Sequence, residues 1–186
     1  EQQYLKMLLA NQVDGIITGS HNEGIEEYKM SGLPIVSSDR YFQNKIPTVS
    51  SDNQAGGELA ARTMIEKGSK KFMLVSGSLE KKAPNNARIT GFEKIAADRK
   101  FPVEVVEFPF NSTPTIRRAT LREKLLSYHP DGIFCTDDQT ALLCMQEARK
   151  LGMQIPKDVQ VIGYDGSDYV QEYHLSLIHI SEPTRR

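Results

Sequence analysis

Two acidic strand ends stand out in the last third of this 186-residue chain. One short apolar run closes in Cys135-Thr136-Asp137-Asp138-Gln139, and a second closes in Gly163-Tyr164-Asp165. A helical pattern joins them, which places both sets of carboxylates at the carboxyl ends of parallel strands, the edge where open α/β sheets take ligands. Upstream, Arg88 lies near the start of the helical segment that follows the strand Phe72 to Val75, so a guanidinium with several donors can face a cleft at that edge. Donors and acceptors of this kind suit a small polar molecule. Residue type alone leaves simpler readings open: a solvated arginine on a first helical turn, and a turn or cap carboxylate at Asp165. One of Asp137 and Asp138 is expected to cap the next helix through its backbone donors, and Asp52 or Asn53 to cap an earlier one.

The elements that position these residues follow from periodicity. Tyr4, Leu5, Leu8 and Leu9 have helical spacing, and Val13 to Ile17 then reads as a strand. Leu33 to Val36 and Thr48 to Ser50 are further short strands, and a helix from Asp52 or Asn53 runs to Gly68, whose type suits the position just past a helix end. Phe72 to Val75 is a buried strand. A helix from about Asn86 to Ala97 puts Ile89, Phe92, Ile95 and Ala96 on one face; Val103 to Phe108 is a strand and Ile116 to Leu126 a helix. Asp131 to Thr136, a helix from about Gln139 to Leu151 stopped by Gly152, and Val159 to Gly163 complete the series. Such alternation implies an α/β fold of parallel sheets with right-handed crossovers. Asp14-Gly15-Ile16-Ile17 recurs as Asp131-Gly132-Ile133-Phe134, which suggests two similar lobes with a boundary near Ser76-Gly77-Ser78.

Composition narrows the function classes. Lys plus Arg total 23 against 24 Asp plus Glu, so this chain carries no basic field for a phosphate backbone. No run approaches the roughly 18 apolar residues a membrane helix needs, and no signal peptide is visible. Cys135 and Cys144 read as buried apolar residues on a strand and its following helix, neither a disulfide nor a metal site, which suits a reducing cytoplasm. For catalysis, His129 precedes a strand at the edge opposite the expected pocket, His174 and His179 lie near the carboxyl end, and His21 follows a strand without an evident partner. Gly56-Gly57 lacks the spacing of a phosphate loop. Binding without turnover, and no cofactor or metal, is the expectation.

Several ordered motifs together carry a family likeness: Asp52-Asn53 with Gly56-Gly57 and a helix to Gly68; Arg88-Ile-Thr-Gly91-Phe92; Asp131 through Leu142; and Ile155 through Asp165. Over roughly Tyr4 to Tyr173 the chain resembles the LacI/GalR transcriptional regulators, and Val36 to Phe42 with Pro47 to Asn53 look most like the branch that controls sucrose utilisation. The resemblance implies a two-lobed periplasmic-binding-protein-like fold that clamps a sugar or sugar-phosphate effector. It also implies a homodimer that binds operator DNA through a headpiece this chain does not contain, and it leaves room for a phosphocarrier-type corepressor. A periplasmic sugar-binding component of a transporter shares the fold and is the competing reading.

By the same resemblance Arg88 would donate to ligand hydroxyls or a phosphate, Asp165 would accept from two hydroxyls, Asp137 would add a polar contact and Phe110 would pack on the ligand. The amino lobe, residues 1–76, is expected to be incomplete and to expose apolar sheet edges; residues 77–174 form the carboxyl lobe. Residues 175–186 depart from the family pattern and look like translated sequencing adaptor, with a short native strand as the alternative.

Overall fold

The computed structural model describes residues 2–19, 32–39, 46–77, 79, 84–109, 111–168 and 170, together with the backbone of 178–179. They fall into two compact units, 1–51 with 82–84, and 52–81 with 85–186.

In the first unit, helix α1 (Gln2–Ala10) precedes strands β1 (Ile16–Thr18), β2 (Ile35–Ser38) and β3 (Thr48–Val49), which pair in parallel in that order. Side chains alternate across a strand: Ile16 and Thr18 turn inward while Ile17 between them is 85 % exposed. Leu5 of α1 packs with Ile16 and Ile35, flanked by Leu9, Val13, Leu33 and Ile46. Ile17 and Val49 are exposed apolar residues of this sheet.

The second unit begins with helix α2 (Asn53–Glu66) and strand β4 (Phe72–Gly77), continues through α3 (Ala87–Asp98), β5 (Val103–Phe108), α4 (Pro114–Tyr128), β6 (Gly132–Cys135), α5 (Asp138–Lys150) and β7 (Gln160–Gly163), and ends in a two-residue strand β8 (Ile178–His179). All five strands are parallel, in the order β5-β4-β6-β7-β8. Their apolar runs are continuous because both faces are covered. Met73, Val75, Ile133, Cys135 and Val161 face α4 and α5, whereas Phe72, Leu74, Phe134 and Ile162 face α2 and α3. Cys135 and Cys144 are buried and unbonded, with their sulfurs 3.6 Å apart.

One expectation is corrected here. The boundary falls after Ser51, not near Ser76 to Ser78, because β4 is a central strand of the second sheet, hydrogen-bonded to β5 and β6, and α2 packs on that sheet's face. The echo of Asp14 in Asp131 has a local cause at its second occurrence: the Asp131 carboxylate accepts from the amides of Lys70 and Lys71 at 2.8 to 3.0 Å and closes the turn into β4. Within 175–186, Ile178 and His179 pair in parallel with Ile162 and Gly163.

Helices α4 and α5 are joined by a buried charge. The Glu147 side chain is fully buried and takes Lys150 and Arg118 at 2.8 Å and Arg122 at 2.9 Å. Lys150, with Arg118 and Arg122, holds this carboxyl down to about 2 against the opposing effect of burial. A depressed carboxyl contributes stability above its unfolded value of 4.5, and that contribution is lost as pH falls toward 2. The three cations are 39 to 54 % exposed, so solvent screens the attraction. Glu147→Gln should therefore destabilise the fold by about 1–2 kcal/mol near neutral pH, and urea melts of the two proteins should converge as pH approaches 2.

Candidate functional site

Helices leave the strands on opposite faces at one place. After β4 the chain enters α3 on one side of the sheet, and after β6 it enters α5 on the other. The connections diverge there, at the carboxyl ends of β4 and β6, the switch point of a doubly wound sheet and the place where such sheets form a ligand crevice.

Arg88, second residue of α3, reaches into this crevice with its side chain 11 % exposed. Its Nε donates to Asn53 Oδ1 at 2.7 Å, and its Nη1 donates to the Thr136 carbonyl at the end of β6. Its guanidinium carbon lies 3.5 Å from the centre of the Tyr164 ring, a cation–π contact strengthened by exclusion of water. Asp165, following β7, approaches Nη1 with Oδ1 at 3.6 Å, and its Oδ2 accepts from the Asp138 amide at 3.3 Å. Burial pushes the Asp165 carboxyl above the usual aspartate value; the Asp138 amide and Arg88 pull the other way, while the charges of Asp138 and Asp137 add to the rise. Half of this side chain remains exposed, so a ligand can reach it.

The two expected ligand groups that the sequence puts 77 residues apart are thus neighbours, at 3.6 Å. Asp137 is placed differently from the expectation. It is the residue that caps α5, with one oxygen accepting from the Thr140 amide at 2.7 Å and the other from the Thr140 hydroxyl at 2.8 Å. Asp138 is buried instead and accepts from the Ser167 amide and hydroxyl at 2.8 and 2.9 Å. The roles of the pair are reversed because only Asp137 has the extended backbone of a residue just outside the helix. Asp52 caps α2 through the Ala55 amide. Phe110 lies outside the described residues.

Three partners of Arg88 were not assigned by sequence reasoning: Asn53, Thr136 through its carbonyl, and Tyr164. Asn53 and Tyr164 sit inside the recognised motifs, yet nothing in their spacing says that they touch Arg88. The role of Gly56-Gly57 is also plain only in three dimensions. A Cβ on Gly57 would overlap the Arg88 carbonyl, one on Gly91 would overlap the Gln54 carbonyl, and one on Gly56 would strike the Tyr164 ring. The glycines let α2 and α3 touch backbone to backbone and admit the ring beneath the guanidinium.

At the opposite edge, His129 ends α4 in the left-handed region at φ 51°, far in the fold from the crevice. Among the described residues, no group of three or more His, Cys, Asp and Glu is placed to hold a metal ion, and no helix is long and apolar enough to cross a membrane.

A family model described as a periplasmic binding protein-like domain matches residues 41–186. The chain belongs to this family. It is 42 % identical over 183 residues to the sucrose operon repressor of Pediococcus pentosaceus, and 38 % identical over 187 residues to that of Streptococcus mutans, alignments that cover 98 % and 100 % of the chain. It spans 56 % and 57 % of those repressors, a little over half of their length. A crystal structure of a periplasmic binding protein/LacI transcriptional regulator from Alkaliphilus metalliredigens, complexed with D-xylulofuranose, is similar with a TM-score of 0.80 at 28 % identity, over 98 % of this chain and 68 % of that one. LacI-type regulators are therefore its relatives, as the motifs implied, and the α/β fold of parallel sheets flanked by helices is the expected one.

The seat of Arg88 predicts the effect of filling the α2–α3 contact. Gly57→Ala should destabilise the protein by about 1–3 kcal/mol, measured by urea denaturation, because the added Cβ would meet the Arg88 carbonyl, which is backbone and not a flexible side-chain end.

Proposed function

We propose that this chain is the effector-binding core of a sugar-responsive LacI/GalR-type repressor acting in the cytoplasm on genes for sucrose or a related carbohydrate. The observation that carries the reading is the Arg88–Asp165 pair at the switch point, a fixed donor beside a half-exposed acceptor. A vicinal diol can donate to the carboxylate and accept from the guanidinium at once, which is how a polyol is held without reacting. Hydrogen bonds to charged groups contribute roughly 1.5–3 kcal/mol each net; two or three of them with an apolar contact support micromolar affinity, about 8 kcal/mol. No step in this requires a nucleophile, so binding and not turnover is the chemistry proposed.

The relatives favour regulation over transport, since the proteins most similar along the chain are repressors by name. Operator binding through a headpiece outside this chain, a homodimer, and a phosphocarrier-type corepressor are parts of the same proposal. For ligand to change operator affinity, it must bind two conformations of the dimer with different strength.

Asp137 and Phe110 complete the proposed ligand set with smaller roles. Isothermal titration of the intact protein with sucrose and its component sugars should detect binding, and Arg88→Ala or Asp165→Ala should weaken it by roughly tenfold or more, the loss of one charged contact, with the far-UV spectrum of Asp165→Ala unchanged. Affinity should fall as acid protonates Asp165, at a pH above that of an ordinary aspartate because its carboxyl is raised. Undiminished binding by both variants would sink the reading.

A further inference from the structure

The ring beneath Arg88 is an end of the hydrophobic core. Tyr164 is 2 % exposed, and its ring adjoins that of Phe134 with centroids 6.5 Å apart. Phe134 in turn stacks on Phe92 of α3 at 5.3 Å, with only 12° between the planes. These rings fill the layer between the second sheet and helices α2 and α3. Tyr164 also abuts α2 at Gly56, where an added Cβ would overlap its hydroxyl. Close packing on several sides therefore fixes the ring before any ligand arrives.

Each contact of the Arg88 guanidinium removes a different freedom. Nε donates to Asn53 and Nη1 to the Thr136 carbonyl. These two bonds pin two points of a flat group and leave it free to tilt about the line that joins them. The Tyr164 ring, 3.5 Å from the guanidinium carbon, blocks that tilt and attracts the charge through its quadrupole. Among the described residues Nη2 has no partner, so it is the donor left for a ligand. Ring and ligand do not compete, because the ring takes a face of the guanidinium and a ligand oxygen takes an N–H in its plane.

Given the sugar-binding reading of this site, on which the step depends, we infer that Tyr164 is a positioning residue for ligand recognition. It sets the plane of Arg88, and so the direction of the free donor, without touching the ligand. A tyrosine that only filled the core would change stability alone. Tyr164 acts on affinity through Arg88 and loses that effect when Arg88 is absent.

The test is calorimetric titration of the intact protein and its variants with sucrose and D-fructose, beside urea melts of each. Tyr164→Phe keeps the ring face and should retain affinity within about threefold. Tyr164→Leu should bind roughly tenfold more weakly, and the same change made in Arg88→Ala should add no further loss, since the group it orients is gone. A trifluorinated phenylalanine at position 164 keeps the packing while draining negative charge from the ring face, so it serves where Tyr164→Leu does not fold. Its affinity should lie roughly fivefold below that of Tyr164→Phe. Undiminished binding by Tyr164→Leu, a loss that recurs in the Arg88→Ala background, or a trifluorinated ring that binds as well as phenylalanine overturns the positioning role and leaves the sugar-binding reading standing. Failure of the unaltered protein to bind either sugar overturns both.

Discussion

The carboxyl unit depends on one buried guanidinium. Removing Arg88 from water is costly unless its charge and donors are matched, and the fold supplies the match from three separate segments: Asn53 at the start of α2, Thr136 after β6, and Tyr164 and Asp165 after β7. The arginine consequently ties both helices of one face to two strand ends. Its position is set by packing before any ligand arrives, which is what a recognition site requires. The close approach of α2 and α3 is part of the same constraint, since Gly57 and Gly91 each leave room for a carbonyl of the other helix.

A second buried charge, Glu147, shows how differently the two faces of the sheet use ionic groups. It lies between α4 and α5, away from the crevice, and all three of its cations come from those helices. Its contacts hold two helices of one layer together. Arg88 and Asp165 instead meet in an incompletely closed pair at 3.6 Å, with the carboxylate half exposed. Exposure of one partner is what distinguishes this pair from the Glu147 cluster, whose carboxylate is fully buried.

The relatives set this geometry in a biological frame. Two sucrose operon repressors match along nearly all of the chain, and a regulator structure with a bound ketose shares the fold. In the function proposed, polar contacts at this sheet edge would hold hydroxyls, and a regulatory output would come from coupling such binding to a second conformation, because affinity alone shifts no equilibrium.

The order of strands and helices, the two sulfur atoms' burial, and the placing of Arg88 and Asp165 at strand ends were legible in the sequence, because periodicity and strand termini are local properties. The family was legible too, from motifs spread across the chain. What the sequence left open was pairing. Whether β4 belonged to the first or the second sheet depended on hydrogen bonds to β5 and β6, some tens of residues away. Which of Asp137 and Asp138 caps α5 depended on backbone angles at one peptide unit. That Asn53 and Tyr164 seat Arg88 depended on contacts across 35 and 76 residues. Local pattern says which edge a side chain reaches; only the packed sheet and its helices decide which groups share that edge, because those distances are fixed by long-range closure of the chain.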